Sequence, residues 1–266
     1  MKRTAASILL TLALCVAAGA QSLASKTKPP RAKGHAAERG AKPAAAADEV
    51  EQLFDRYFLA QGGVAVLVVK TRIMRGNVEM SATGVSVGFE SYEKMQKRSL
   101  IVINAPAGQF LQASDAGKKW IKSPWAGVTA APNAGGDDFL SRGGTPEAKG
   151  FKWRSLFSSV RVKGRATVGG RPAIVLAATP LGREPTLMYF DVESGMLVRM
   201  EFGRTAGGKP SDLKALHLDS YATVDGIKVP VVFRQEFNDM TMTFRVYEVK
   251  HDVKIDDALF AAPGGK

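Results

Sequence analysis

The sequence predicts a mainly β protein of the α+β class. We expect a large curved antiparallel sheet, or incomplete β-barrel, with one or two N-terminal helices in its concavity. Alternating apolar and polar residues form about ten or eleven strands, separated by short turns rich in Gly, Asp and Asn. A helical stripe precedes them, and the sequence has neither an internal repeat nor the βαβ alternation of parallel sheets.

The clearest hairpin covers residues 187–202. Asp191 can bond to its own backbone and Gly195 accepts a positive φ, so the stretch between them predicts a tight turn. The alternation after the turn predicts one dry face and one mostly wet face. The dry face holds Met196, Val198, Met200 and Phe202, and the wet face holds Leu197, Arg199 and Glu201.

A helix is expected before the strands. Its apolar stripe has the spacing of one helix face and consists of Val50, Leu53, Phe54, Tyr57 and Phe58. Asp48 and Glu51 have the spacing of a capping box, which predicts that the helix begins at Asp48. Gly62-Gly63 is a typical helix end. Residues 64–69 fit either a strand or a second short helix.

The other strands are expected where alternation and turn signals coincide. Their ranges are 72–80, 85–95, 98–104, 109–113, 119–122, 160–168, 172–178, 213–223, 227–233 and 240–247. Many Gly, Pro and Ala residues predict a long loop at 123–150. Residues 151–160 have the pattern of a short amphipathic helix.

The first 20 residues have the organisation of an export signal, with Lys2-Arg3, a short apolar core and an Ala18-Gly19-Ala20 site. We therefore expect cleavage after Ala20 and a soluble periplasmic protein. Lipidation at Cys15, giving an outer-membrane lipoprotein, is the alternative, but the preceding Leu14 is not small. Residues 21–46 read as a disordered linker, a spacer or a weak contact with anionic envelope surfaces.

Charge and composition exclude several classes of function. The formal net charge is +12, but residues 21–46 alone carry six basic and one acidic side chain. The remainder is only mildly basic, so we do not expect nucleic acid as a partner. Cys15 is the only cysteine and lies in the signal, so the mature chain offers no disulfide, thiol nucleophile or Cys-based metal site. We expect a monomer with no cofactor.

Catalytic signals are weak, and the sequence does not predict an enzyme. His217 and His251 lack a nearby nucleophile motif, and a surface cross-strand pair fits His217 better than a metal site. Asp137-Asp138 and Asp256-Asp257 are adjacent, so within a strand the two carboxylates of each pair would point to opposite faces. We expect the second pair to cap a turn. No metal ligands or catalytic residues are predicted. Trp120 and Trp125 fit core or loop-anchor positions, with contact to a partner as the alternative.

Methionine is the most informative composition signal, because apart from Met1 every methionine lies in a predicted strand. Flexible thioethers suit a wall that adapts to an acyl chain, although they also fill gaps in an ordinary core. The helix stripe can likewise be a lid or a permanently packed helix. The ligand-cavity candidates are Leu53, Phe54, Tyr57, Phe58, Met80, Met188, Met196, Val198, Met200, Phe202, Val231, Phe233, Met240, Met242 and Phe244.

Three local patterns in this order carry a family resemblance. They are Tyr189-Phe190-Asp191 with Ser194 to Arg199, Asp225-Gly226 with Ile227 to Pro230, and Ile255 to Pro263 at the end. With the helix end at Gly62-Gly63 and with residues 115–120, residues 47–263 resemble the outer-membrane lipoprotein-sorting, or LolA/LolB-like, superfamily; 264–266 are a short tail. The resemblance implies an incomplete β-barrel whose helices plug an apolar cavity.

The resemblance also implies a function: a periplasmic, non-enzymatic carrier or binding protein for an acylated lipoprotein or another lipid. A cell-envelope protein–protein interaction module with the same fold and a filled core is the alternative. A hydrolase is a third hypothesis, and no sequence motif supports it.

Overall fold

The protein is described by a computed structural model covering residues 43–94, 98–115, 118–130, 157–180, 185–203, 213–237 and 240–263. Two α-helices come first, α1 at Pro43–Gln61 and α2 at Val64–Val68. A short 3-10 helix at Asp257–Phe260 ends the described chain. Among these residues no helix combines the length and apolar character needed to cross a membrane.

Thirteen strands lie between the helices and the C-terminus of the described chain. They are β1 Thr71–Met80, β2 Val85–Lys94, β3 Arg98–Ala105, β4 Gly108–Asp115, β5 Lys118–Ser123, β6 Gly127–Ala130, β7 Phe157–Val168, β8 Arg171–Pro180, β9 Thr186–Asp191, β10 Leu197–Phe202, β11 Ala215–Val224, β12 Ile227–Glu236 and β13 Thr241–His251.

All thirteen strands form one antiparallel sheet in the order β6-β5-β4-β3-β2-β1-β13-β12-β11-β10-β9-β8-β7. Every neighbouring pair but one is consecutive in the chain; the exception is the pairing of β1 with β13. This pairing joins the first and second halves of the domain, and within the described part of the chain the sheet remains open between its edges β6 and β7. The predicted class, mainly β with a curved antiparallel sheet and an N-terminal helix, is confirmed.

Helix α1 begins earlier than predicted. It starts at Pro43, so Asp48 lies inside the helix and does not cap it. Proline is favourable in the first helical turn and the following alanines have the highest helix propensity, which extends the helix towards the N-terminus. The helix therefore takes in the last four residues assigned to the linker. The predicted end is confirmed, because the amide of Gly63 bonds the Phe58 carbonyl at 2.9 Å.

The strand predictions need two further corrections. Strand β6 lies inside the segment predicted as a loop, and residues 157–160, predicted to be helical, begin strand β7. Both are edge strands, where one-sided pairing leaves a weaker alternation. Residues 64–68 adopt the helical alternative, as α2. The signal, most of the linker, Met95, Asp137-Asp138 and the rest of the 123–150 loop lie outside the described residues.

The predicted face of β10 is also partly wrong. The pairing with β9 shifts between Leu197 and Arg199, so the strand carries a β-bulge around Val198. Leu197 consequently lies in the main core, whereas Val198 packs on the opposite face with Val175 and Tyr189. A bulge inserts one residue without a partner, which reverses the alternation at that point.

The outer face of β3–β5 is covered by the C-terminal segment. Leu100, Ala113 and Trp120 pack against Ile255 and Phe260 there. The indole Nε1 of Trp120 donates a 2.8 Å hydrogen bond to the Phe260 carbonyl. These contacts hold the C-terminal segment on one side of the sheet and leave the other face to helix α1.

Candidate ligand-binding interior

The face of the sheet that carries helix α1 holds the largest apolar cluster of the described residues. We call it the interior cluster. It consists of Val50, Leu53, Phe54, Tyr57, Val78, Met80, Phe89, Ile103, Leu176, Ala178, Met188, Phe190, Met196, Leu197, Met200, Leu216, Leu218, Phe233, Met242 and Phe244. Residues from both halves of the sheet meet the helix here, because the sheet curves around it.

Aromatic contacts fix the helix in this interior. The rings of Phe54 and Tyr57 meet Phe190 edge to face, with centroids 6.0 and 5.3 Å apart. Three residues of the sheet form a second aromatic group in the same interior. Phe244 stacks on Phe233 with centroids 4.7 Å apart and meets Phe89 at 5.1 Å. Such pairs add about 0.5–1.5 kcal/mol each beyond the buried area. Burial raises the pKa of the Tyr57 hydroxyl above its ordinary value, so this hydroxyl stays neutral.

Most of the predicted cavity candidates come together in the interior cluster. Ten belong to it: Leu53, Phe54, Tyr57, Met80, Met188, Met196, Met200, Phe233, Met242 and Phe244. Phe202 and Met240 are partly buried and pack against it. Phe58 and Val231 are half-buried outside it, and Val198 lies on the opposite face.

Methionine supplies a quarter of the interior cluster. Strands provide four of the five thioether side chains, Met80, Met188, Met200 and Met242, and the fifth, Met196, lies in the turn before β10. Unbranched side chains with three rotatable bonds re-pack at low cost, so this surface tolerates a change of contents better than a wall of β-branched residues. The chemistry that the interior offers is therefore adaptable apolar contact.

Helix α1 is held at two points along its length. In its middle, Arg56 donates hydrogen bonds from Nη2 to the carbonyl oxygens of Val192 and Glu193, in the turn after β9. Gly195 leaves room for this side chain, because a Cβ there would lie 2.9 Å from the Arg56 Cγ. At the helix end, a Cβ on Gly62 would lie 2.5 Å from the Gly226 carbonyl oxygen.

A row of polar side chains occupies one end of the interior face. Antiparallel register sets His251 of β13 opposite Arg72 of β1, Arg72 opposite Glu93 of β2, and Glu93 opposite Ser99 of β3. Nε and Nη2 of Arg72 donate to Oε2 of Glu93 at 3.1 and 2.5 Å. Arg72 is 5% exposed and Glu93 1%. Burial raises the pKa of Glu93, and the charge and hydrogen bonds of Arg72 oppose that rise.

The polar residues considered for chemistry make ordinary pairs. His217 Nε2 lies 3.2 Å from Glu236 Oε2, and Asp219 accepts from Arg234 on the same neighbouring strand. The expected cross-strand pair of His217 is confirmed, but it does not lie on the surface as expected, because the imidazole is only 14% exposed. Desolvation lowers the pKa of the His217 imidazole, although the Glu236 carboxylate opposes this. Asp256 caps the 3-10 helix as expected, by accepting from the Ala258 amide at 3.0 Å.

The described residues contain no group of three or more His, Cys, Asp and Glu side chains placed to hold a metal ion. Trp120 lies in the core, as expected, and Trp125 is partly exposed.

Sequence reasoning missed three residues of this site. Arg56 looks like an ordinary exposed helix cation, and no local pattern indicates that it bonds a distant turn. Arg72 and Glu93 look like solvated charges on their strands. One signal was present for Arg72: it lies two residues before Met74 and six before Val78, on the same strand face. Glu93 lies four residues after Phe89 on the next strand, and this even spacing also puts both side chains on one strand face.

No family model matches the sequence, and no curated protein matches it. Solved structures do match. A DUF1329 family protein from Desulfovibrio piger is 16% identical, with 80% of this chain and 97% of that chain covered and a TM-score of 0.56. A LolA superfamily protein from Nitrosomonas europaea is 11% identical, with 79% and 96% covered and a TM-score of 0.55.

A third structure, from Vibrio parahaemolyticus, is named for an outer-membrane lipoprotein-sorting protein domain. It is 13% identical, with 82% of this chain and 96% of that chain covered and a TM-score of 0.52. All three match over nearly their whole length at low identity, which is evidence about fold alone. The resemblance noted in the sequence is confirmed at that level: the chain has the LolA-like fold and is a divergent example of it.

Proposed function

We propose that this protein is a non-catalytic carrier or binding protein for an acylated lipoprotein or another lipid. The acyl chain would occupy the interior cluster. The observation that carries the proposal is the adaptable wall of methionine and aromatic side chains beneath a helix held at its middle and at its end. The similarity in fold to lipoprotein-sorting domains supports it.

Loading requires helix α1 to move, because its aromatic side chains fill the interior. Phe54 and Tyr57 are fully buried against Phe190. A bound acyl chain would take their place on the methionine wall without a covalent step. Each buried methylene contributes about 0.8 kcal/mol, so about six to eight of them contribute roughly 5–6 kcal/mol. That amount is enough for reversible transfer between partners and too small for permanent capture.

We place the protein in the periplasm, after cleavage behind Ala20, as a domain that works as a monomer; because helix α1 begins at Pro43, this domain extends from residue 43, four residues earlier than predicted, to residue 263. The basic segment 21–46 would add a weak attraction to anionic envelope surfaces. Such an attraction is electrostatic and would be screened at physiological salt over about 8 Å. It would concentrate the carrier near membranes without holding it there.

One observation favours a second candidate, a cell-envelope protein–protein interaction module. The interior is closed in this structure, since Val50, Phe54 and Tyr57 are almost completely buried. If the helix never leaves, the interior is an ordinary core and only the surface is available to a partner. The two candidates therefore differ in whether α1 can be displaced.

A disulfide that ties the helix to the sheet tests this difference. A Cβ at position 195 would lie 2.9 Å from the Arg56 Cγ, which brings cysteines at positions 56 and 195 within reach of a bond. The protein would be expressed without residues 1–20, carry Arg56→Cys and Gly195→Cys, and be given a fluorescent fatty acid before and after reduction. The carrier proposal expects uptake by the reduced form and little by the oxidised form.

The Arg56→Cys single variant is the matched control, and its uptake should not depend on reduction. Native mass spectrometry of wild-type protein purified from the periplasm without detergent gives an independent measurement. A bound acylated species near stoichiometry supports the carrier. A ligand-free mass together with no uptake by either redox form contradicts it and leaves the interaction module. Equal uptake by both redox forms contradicts the displacement of α1.

A further inference from the structure

The polar row at the end of the interior contains buried atoms without a partner. The side chain of His251 is 3% exposed and Glu93 is 1% exposed. Glu93 Oε1, His251 Nε2 and Gln61 Nε2 make no hydrogen bond to any described residue. Leaving a buried polar group unsatisfied is unfavourable, so each of these atoms calls for a partner.

These atoms belong to one corner of the molecule. His251, Arg72 and Glu93 are consecutive partners across β13, β1 and β2. Gln61 precedes Gly62, where a Cβ would lie 2.5 Å from the Gly226 carbonyl oxygen, and the neighbouring Asp225 contacts His251 Nδ1 at 3.0 Å. The end of α1 therefore adjoins the His251 end of the row.

The corner adjoins the apolar interior. Along β1 the row residue Arg72 is followed on the same face by Met74, Val78 and Met80. Val78 and Met80 belong to the interior cluster, and Met74 packs with Ile227 beneath helix α2. An elongated ligand lying along this face would thus have its apolar part on the methionines and one end at the polar row.

The hydrogen-bonding roles of the unpartnered atoms indicate which chemical group the ligand should present at the polar row. The Asp225 carboxylate only accepts, so it selects the His251 tautomer that carries the proton on Nδ1, and in that tautomer Nε2 is an acceptor. Glu93 Oε1 is a second acceptor, and Arg72 already neutralises its charge. Gln61 Nε2 is a donor. A hydroxyl matches this set because it can donate and accept, whereas a carboxylate or phosphate only accepts and adds a charge.

We propose that the corner formed by Gln61, Arg72, Glu93 and His251 binds an uncharged hydroxyl-bearing headgroup of an acylated ligand. This inference rests on the proposed function and narrows it to lipids of the acylglycerol kind. A free fatty acid would bring an ionised carboxylate to two buried acceptors. Burying a charge without a counter-charge is costly, so the site discriminates against it.

The test compares two probes with the same acyl chain, 1-monopalmitoylglycerol and palmitate, by calorimetric titration of the mature protein. We expect the glycerol ester to bind about tenfold more tightly, the effect of one or two hydrogen bonds. His251→Leu removes the Nε2 acceptor and leaves both members of the Arg72–Glu93 ion pair in place. It should reduce the preference for the glycerol ester to about twofold or less. Glu93→Gln turns an acceptor into an amide that can donate, and should shift the preference towards palmitate.

Ser91→Ala is the matched control, because Ser91 is buried on the same face of β2, two residues before Glu93, and should leave the preference unchanged. Melting curves identify a variant that fails to fold. If Glu93→Gln fails to fold, His251→Leu still tests the headgroup site. Equal binding of both probes by the wild type, or a preference that survives both variants, overturns the headgroup site and leaves the carrier intact. Binding of neither probe overturns the carrier proposal as well.

Discussion

The Nη2 atom of Arg56 on helix α1 donates a 2.8 Å hydrogen bond to the carbonyl oxygen of Glu193, in the turn between β9 and β10. The same nitrogen also donates to the Val192 carbonyl. The turn is shaped for this contact, because Asp191 Oδ1 accepts from the amide and hydroxyl of Ser194, both at 2.7 Å. A single exposed side chain thus connects the mobile element of the proposed mechanism to a rigid hairpin.

Arg56→Ala should weaken the attachment of the helix. Loss of the hydrogen bonds to the two carbonyls should lower the free energy of unfolding by about 1–2 kcal/mol, since a charged donor is removed from a partly exposed site. Exchange of a fluorescent fatty acid should become faster, measured by stopped flow. Asp55→Ala, at the neighbouring exposed position of the same helix, is the control. Unchanged exchange in Arg56→Ala would show that this contact does not limit opening.

Gly76→Ala should destabilise the junction between the two halves of the sheet. Gly76 lies at the register shift between β1 and β13, and a Cβ there would lie 2.2 Å from the Arg245 carbonyl oxygen and 2.6 Å from the Phe89 ring. Backbone cannot move aside without disrupting the sheet, so we expect the free energy of unfolding to fall by about 2 kcal/mol or more. Urea unfolding measures this change.

Gly88→Ala is the matched control for this substitution. Gly88 lies on the neighbouring strand, and the nearest atom to a Cβ there is the Asn104 Nδ2 at 3.8 Å. It should change the stability by less than about 0.5 kcal/mol or increase it, because alanine loses less backbone entropy on folding. Similar losses in both variants would mean that the close approach at β13 is not the cause.

Replacing methionines in the interior should narrow the range of ligands that bind, with only a small loss of stability. Met200→Leu combined with Met242→Leu conserves volume and should cost less than about 1.5 kcal/mol. The branched side chains re-pack less freely, so the variant should bind a narrower range of acyl lengths in a series of fatty acids. Leu100→Met, a swap of similar volume in the core on the opposite face of the sheet, should keep the full range. An unchanged range in the double variant would assign the methionines to packing alone.

Acid should loosen the C-terminal segment. Hydrogen bonds from Arg98 and Lys94 lower the pKa of Asp257 from 3.8 to about 2. Because the pKa of Asp257 is lower in the folded state, its hydrogen bonds contribute fully to the free energy of unfolding above the unfolded value of 3.8. This contribution disappears as the pH falls to about 2. Between about pH 5 and about pH 2, the wild type should therefore lose more stability than Asp257→Asn in urea unfolding.

Asp48→Asn, an exposed carboxyl on helix α1, is the control and should follow the wild type. The contribution of Asp257 should also shrink in high salt, because its side chain is 61% exposed and the partner cations are partly exposed. Identical acid curves for the wild type and Asp257→Asn would contradict the assignment.

Local chemistry allowed much of the fold to be predicted. The turn at Asp191 and Gly195, the helix end at Gly63 and the cap at Asp256 are each decided within a few residues, and all three are present. The alternation along β1 correctly placed Met74, Val78 and Met80 on one face. Ten of the fifteen cavity candidates likewise reached the interior cluster, because apolar periodicity reports burial directly.

The tertiary structure alone decided the rest, because these features depend on a partner distant in the chain. Val198 packs on the opposite face of the sheet because pairing with β9 inserts a bulge. Arg56 bonds a turn 137 residues away. Arg72 and Glu93 read as solvated charges until the pairing of β1 with β13 and β2 buries them in one row with His251. Local patterns were enough to identify most of the strands and most of their apolar faces; only long-range pairing decided where those faces meet and which charges they enclose.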